Sequence, residues 1–104
     1  MSLFSMFQKT RPGEYNMRYV LKGNTTDFNI TYKCGEGCEV IQEPHVKKGW
    51  TYKFSAQPGD YFYIAAQSNT ADSSIDLKVY QNGRVFKKIS KTGDFPVAEV
   101  SGTV

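Results

Sequence analysis

A period of two runs through most of this chain. In "DFNITYK", Phe28, Ile30 and Tyr32 fall on one side and Asn29, Thr31 and Lys33 on the other, and in "WTYKFSA" Trp50, Tyr52, Phe54 and Ala56 alternate with polar residues. That spacing gathers the apolar side chains on one face of a strand but scatters them around a helix, so they can be buried together only in a sheet. "DYFYIAAQS" is apolar on both sides and reads as a central strand. "SIDLKVYQNGRVFKKIS" sets Asn82-Gly83 between two alternating runs, and two residues that tolerate positive φ predict a type I′ hairpin. Tyr15 to Leu21, Glu39 to Gln42 and Val97 to Val100 supply further strands, separated by "KGNTTD", "EPHVKKG" and "KTGDFP". The Pro and Gly of "QPGD", Gln57 to Asp60, predict a tight turn and a second hairpin between the strands on either side. The expected fold is all-β: a single antiparallel β-sandwich of about seven or eight short strands, immunoglobulin-like in character.

At 104 residues the chain has the size of one domain. The sandwich is expected over residues 15–104 and a disordered leader over residues 1–14, where Leu3, Phe4, Met6 and Phe7 do not form an apolar run of signal-peptide length. No stretch has the roughly 20 apolar residues that a membrane-spanning helix requires. The aromatic share of 14% suits pleated, half-buried surfaces, and the formal charge of +3 is compatible with an anionic partner.

Cys34 and Cys38 flank Gly-Glu-Gly in "YKCGEGCEV" and are the only cysteines. A redox pair needs two intervening residues at a helix N-terminus, whereas here three follow a strand. Zinc would need Glu36, Glu39 or Glu43 with the single histidine, His45, and two free thiols beside a turn are the other alternative. A disulfide suits two strand ends facing across a short turn, and closing so small a loop would stabilise the fold by about 2 kcal/mol. The bridge is the expected state, and it points to an exported domain.

Residues for catalysis are sparse. His45 lies in a segment read as a surface loop, carboxylates are scattered singly near turns, and no glycine-rich phosphate loop occurs, so neither an enzyme nor a cofactor is expected. Binding residues are more evident. A two-residue loop at Asn82-Gly83 would pair Gln81 with Arg84, Tyr80 with Val85, Val79 with Phe86 and Lys78 with Lys87. Ile75, Leu77, Val79 and Phe86 would then face the core. The opposite face would carry Asp76, Lys78, Tyr80, Val85, Lys87 and Ile89, and of these Lys78, Tyr80, Val85, Lys87 and Ile89 are the candidate surface for an anionic ligand or a protein partner. Trp50, Tyr52, Tyr61, Phe62, Tyr63 and Tyr80 are the alternative, as a sugar-stacking surface. Lys78, Arg84, Lys87, Lys88 and Lys91 cluster at one hairpin, yet so modest a net charge argues against nucleic acid and leaves a cytoplasmic domain binding other anionic polymers as a third reading.

The order "YVLKGNTTDFNITY", "PHVKKGWTYKFSAQPGDYFYIAAQ", "IDLKVYQNGRVFKKISKTGDFPVAEVSG" resembles the extracytoplasmic β-sandwich of the MmpS family of small membrane-anchored transport accessory proteins. The shared features are a first strand ending in Gly, a strand closing in Thr-Tyr, a Trp-led strand, a strand ending in Ala-Gln and the Asn-Gly hairpin. The resemblance implies a non-enzymatic extracytoplasmic accessory module of a membrane transport or envelope system, held at the membrane only through an anchor outside this sequence. It covers roughly residues 15–104 and consists mostly of turn and core positions, so it is more specific for fold than for function. Intact-protein mass spectrometry after air oxidation should show the two-hydrogen deficit of a Cys34–Cys38 bridge, and two freely alkylated thiols would refute it.

Overall fold

The computed structural model describes residues 13–25, 27–33 and 39–104. Residues 1–12 of the expected leader and both Cys34 and Cys38 lie outside them. Eight strands are formed: β1 (Tyr15–Gly23), β2 (Phe28–Lys33), β3 (Val40–Val46), β4 (Thr51–Ala56), β5 (Tyr61–Ser68), β6 (Ser73–Gln81), β7 (Arg84–Gly93) and β8 (Val97–Thr103). They make two antiparallel four-stranded sheets, one in the order β4-β1-β6-β7 and the other β3-β2-β5-β8. The fold is the expected β-sandwich. Its strand order differs from the A-B-E-D over C-F-G arrangement of an immunoglobulin constant domain, so immunoglobulin-like connectivity does not describe it.

The alternation read from the sequence becomes the core. Met17, Tyr19 and Leu21 of β1 and Ile75, Leu77 and Val79 of β6 face Phe28, Ile30 and Tyr32 of β2 and Phe62, Ile64 and Ala66 of β5, and all are buried. A large apolar side chain moved from water to such a site contributes about 1.5–3 kcal/mol, so the four inner strands carry most of the driving force. Gly23 ends β1 where a Cβ would lie 2.2 Å from the Ser74 carbonyl oxygen and 2.9 Å from the Phe28 ring, an approach that only glycine permits. Asn82 and Gly83 take φ of 51° and 83°, as the type I′ hairpin requires, and Asn82 fastens the hairpin to β1 by accepting from the Asn16 N–H through its side chain.

Three expectations are corrected. The Gln57–Asp60 turn forms, with the Asp60 N–H donating to the Gln57 carbonyl at 3.0 Å, but β4 and β5 do not pair. The turn bends the chain from one layer into the other, where β4 finds six unbroken partners along β1, from Tyr15↔Ala56 to Val20↔Thr51. Turn chemistry sets the local bend and leaves the choice of sheet to the side chains that follow. Likewise β3 continues through Pro44 and His45 to Val46, which the sequence assigned to a loop. Finally, Trp50, which the alternation grouped with the buried side of its strand, precedes β4 and is only half-buried, packing its ring 5.0 Å from Tyr32 and 6.3 Å from Tyr52.

The layers are joined through Tyr19. Its side chain is fully buried, its hydroxyl donates to the Lys33 carbonyl at 2.8 Å, and it accepts from the Tyr63 N–H at 3.3 Å. Burial pushes its phenol pKa well above the ordinary value, so it stays protonated and able to donate. Tyr19→Phe would remove the donor to the Lys33 carbonyl and the acceptor of the Tyr63 N–H at little change in volume; we expect a loss of about 1–3 kcal/mol in urea unfolding. A loss within error of zero would mean that water replaces the hydroxyl.

Candidate functional site

The β6–β7 hairpin starts in the register expected from its turn, with Gln81↔Arg84 and Tyr80↔Val85, and then shifts, so that Val79 pairs with Lys87 and Lys78 with Lys88. Phe86 is the extra residue of a β-bulge. Its ring turns inward and meets Phe62 at 5.8 Å. Beyond the bulge the faces of β7 are exchanged. Lys87 points between the sheets, where its Nζ donates to the Ser101 carbonyl and lies 6.0 Å from the Phe62 ring centroid, and Ile89 pairs with Leu77 and packs on the core. The five expected surface residues are therefore divided. Lys78, Tyr80 and Val85 stay on the outer face, while Lys87 and Ile89 are withdrawn from it.

Lys88 takes the place of Lys87, and β1 and β4 contribute more. With Met17, Tyr19 and Leu21 inward, Arg18, Val20 and Lys22 must face outward, and register places Lys53 beside Arg18 and Arg18 beside Tyr80. The next row is Thr51, Val20, Lys78, Lys88, and the third is Lys22, Asp76, Ser90. The Arg18 guanidinium carbon sits 4.5 Å from the Tyr80 ring centroid, a cation–π contact that holds the arginine flat on the sheet. Val20 is only 7% exposed although it points away from the core, and it shares a depression with Lys22, Lys78 and Lys88. Two shallow depressions lie on this face, one walled by Lys22, Lys78 and Lys88 around Asp76 and one by Arg18, Lys53 and Tyr80.

Among the described residues of these three rows, the face holds Arg18, Lys22, Lys53, Lys78 and Lys88 against one carboxylate, Asp76, to which Ser90 donates a hydrogen bond. The rest of the chain has eight Lys and Arg against nine Asp and Glu, so the entire basic excess of the protein sits on one side of one sheet. Arg18↔Lys53 and Lys78↔Lys88 are like charges directly opposite across strands, an arrangement that disfavours the sheet on its own. Among the described residues none of the five cations forms an ion pair. The sequence pointed to Lys78 and Tyr80. Arg18 and Lys53 were missed because their strands were not assigned neighbours, though alternation alone would have placed them outward, and Lys22 because the first strand was ended at Leu21 and in fact runs to Gly23.

The aromatic alternative does not assemble. Phe62 is buried, Trp50 and Tyr52 point between the sheets, Tyr61 and Tyr63 lie on β5, and Tyr80 lies across the sandwich under Arg18.

A second constellation surrounds His45. A bulge in β3 sets Pro44 and His45 against Asn29, and His45 takes a left-handed φ of 56°. Such a backbone costs about 1–3 kcal/mol in a non-glycine residue and is offset here by fixed partners. The His45 N–H donates to Asn29 Oδ1 at 3.1 Å, and His45 Nδ1 lies 2.9 Å from Asp27 Oδ1. Asn69 donates to the same Asp27 oxygen at 3.0 Å. The result is an oriented imidazole at the edge of a sheet; no hydroxyl or thiol is bonded to it among the described residues. The Asn69 bond, and then the His45 bond, hold the Asp27 carboxyl below the ordinary aspartate range. A lowered folded pKa means stability that is present above the unfolded value and lost as pH falls through the folded one. A carboxyl-carbon NMR titration should find Asp27 the more acidic in the native protein, and Asn69→Ala should move its midpoint back upward. An unchanged midpoint would show that His45 alone sets it. Compared with known proteins, the chain matches no protein-family model and no curated sequence.

Proposed function

We propose that this protein is a non-enzymatic binding module whose basic outer face, centred on Arg18, Lys53, Lys78, Tyr80 and Lys88, receives an anionic partner. The observation that supports the reading is the pair of like-charge cross-strand contacts, Arg18↔Lys53 and Lys78↔Lys88, in which no cation has an ion-pair partner among the described residues, Asp76 lying diagonal to Lys88 and accepting from Ser90. A surface with no task is better served by mixed charge, and one that accepts acidic groups gains both encounter rate and orientation from a single-signed field. The Arg18–Tyr80 stack adds a preorganised guanidinium, whose planar donors suit a carboxylate, sulfate or phosphate. An extracytoplasmic accessory role beside a membrane or envelope system, as the MmpS resemblance implies, agrees with a module that recruits a partner and transforms nothing.

The test is a titration with polyglutamate, followed by the amide spectrum, of the native protein and of the Lys78→Glu, Lys88→Glu double variant. The double variant changes the face to three cations and three carboxylates. We expect shifts confined to β1, β4, β6 and β7 in the native protein, weakening with salt, and affinity about tenfold lower in the variant. Equal responses in the two proteins would overturn the proposal.

A further inference from the structure

A sandwich of two open sheets has four edge strands, here β3, β4, β7 and β8. An edge exposes unpaired N–H and C=O groups and invites another strand, so proteins blunt it with prolines, bulges, lysines or a cover. Three of these edges are treated in that way. β3 carries Pro44 and the Pro44–His45 bulge. β7 carries the Phe86 bulge with Lys87, Lys88 and Lys91. β8 has Lys87 reaching across to the Ser101 carbonyl and resting over Gly102, where a Cβ would lie 2.8 Å from its Nζ. β4 differs. Its pairing with β1 is unbroken over all six residues, with neither proline, glycine nor bulge inside them, the bulge at Gly49-Trp50 lying before the strand begins.

The free edge of β4 can be described residue by residue. The Leu21 N–H donates to the Trp50 carbonyl and the Leu21 carbonyl accepts from the Gly49 N–H, a bulge of Gly49-Trp50 opposite Leu21 that sets the hydrogen-bonding phase of the ladder. Antiparallel ladders alternate, so Tyr52 and Phe54 turn their amides toward β1, while Thr51, Lys53 and Ser55 turn theirs outward. A strand laid beside β4 would bond to those three residues. Its side chains on the outer face would sit next to Lys53, with Arg18 one strand behind. Its side chains on the inner face would sit next to Tyr52 and Phe54, which are half-buried and stacked 6.1 Å apart.

We infer that β4 is a docking edge for an extended acidic segment of a partner protein, in which acidic residues alternate with apolar ones and which adds as a fifth strand to the basic sheet. This names the partner class for the anion-binding face and rests on that reading. Charge decides against a second copy of this chain. An antiparallel β4–β4 contact would bring the two Lys53 side chains, each backed by Arg18, onto the same side of one sheet beside each other, with no carboxylate between them. The same lysine that repels a copy attracts a glutamate, so Lys53 acts as the selectivity element of an edge that no other described strand covers. Strand addition takes its affinity from main-chain hydrogen bonds and its specificity from alternate side chains.

The probe is a capped peptide of about seven residues alternating glutamate and valine, with a scrambled-order control of the same composition. We expect the ordered peptide to shift the Thr51, Lys53 and Ser55 amides and slow their hydrogen exchange, and the scrambled one to bind at least about tenfold more weakly. Ser55→Pro removes one outward N–H at an edge position where proline is accommodated, so circular dichroism and melting should stay native-like while the ordered peptide loses about tenfold or more in affinity. Lys53→Glu should lose the acidic peptide and gain a lysine–valine counterpart, which keeps the test open should the proline variant fail to fold. If polyglutamate and the peptide bind equally well to native and Ser55→Pro proteins, strand addition is wrong and the anionic face stands. If neither ligand shifts the Arg18, Lys78 and Lys88 amides, both are wrong. Slow exchange at Thr51, Lys53 and Ser55 in the free protein, or a concentration-dependent dimer abolished by Ser55→Pro, would show the edge already occupied and would also overturn the proposal.

Discussion

One phenol oxygen holds the two layers in register. The β2–β5 ladder runs from Phe28↔Ser68 to Tyr32↔Ile64, and at the next step, where Lys33 and Tyr63 would face each other, the Tyr19 hydroxyl from the opposite sheet lies between them, donating to one and accepting from the other. Side-chain hydrogen bonds in a sandwich core are costly to leave unmade, so this insertion fixes the sliding of one sheet over the other more sharply than apolar contact does. Around it the Tyr19 ring touches Tyr32 edge-on at 6.1 Å and lies 4.9 Å from Phe54 and 6.5 Å from Tyr52. β1 is thereby tied to β4 and to the far sheet at one residue, and the outward direction of its neighbours Arg18 and Val20 follows from that.

The opposite flank is closed by different chemistry. β7 and β8 approach there, and the bulge at Phe86 delivers an aromatic ring and then a lysine to the same inner side. Without the extra residue Lys87 would stand beside Lys78 and Phe86 would pair with Val79. With it, the lysine stem covers Phe62 and its ammonium reaches the Ser101 carbonyl, a cation–π and hydrogen-bond combination that no neutral side chain supplies. Gly102 is part of the same arrangement, since a Cβ there would meet both the lysine and, at 3.2 Å, the Phe62 ring.

Local pattern was legible in the sequence wherever one residue type settles one backbone choice. Asn82-Gly83 determines its turn, and the period of two in β1, β2 and β6 determines their buried sets. The bulge was illegible because Phe86 can face inward in either register, and the choice between them depends on Phe62 and Ser101, contributed by another sheet. The Gln57–Asp60 turn was read correctly as a turn and wrongly as a hairpin for a related reason: Asp60 closes the bend through its own carboxylate and says nothing of where β5 goes. At the candidate site, Lys78 and Tyr80 were visible beside their hairpin, whereas Arg18 and Lys53 become their neighbours only through the β1–β4 and β1–β6 pairings, both of long sequence range. His45 was hidden by Pro44, which suggests a loop to any reading by propensity and in fact sits in an edge strand, the one sheet position that spares its missing N–H.

The two halves of the outer sheet answer one physical question differently. A row of cations on a sheet can be stabilised from within, by an intervening carboxylate, or from outside, by a ligand. Between Lys22 and Ser90 the first solution is used, through Asp76. Between Lys53 and Tyr80 and between Val20 and Lys88 no carboxylate stands in the row, and there Arg18 is laid over Tyr80 while Val20 lies beside Lys78. Long basic side chains on a bare surface swing apart and lose definition. Arg18 is supported from beneath by Tyr80, next to a strand edge whose backbone groups face outward, and a surface so built gives an acidic strand charge, register and hydrogen bonds from the same few residues.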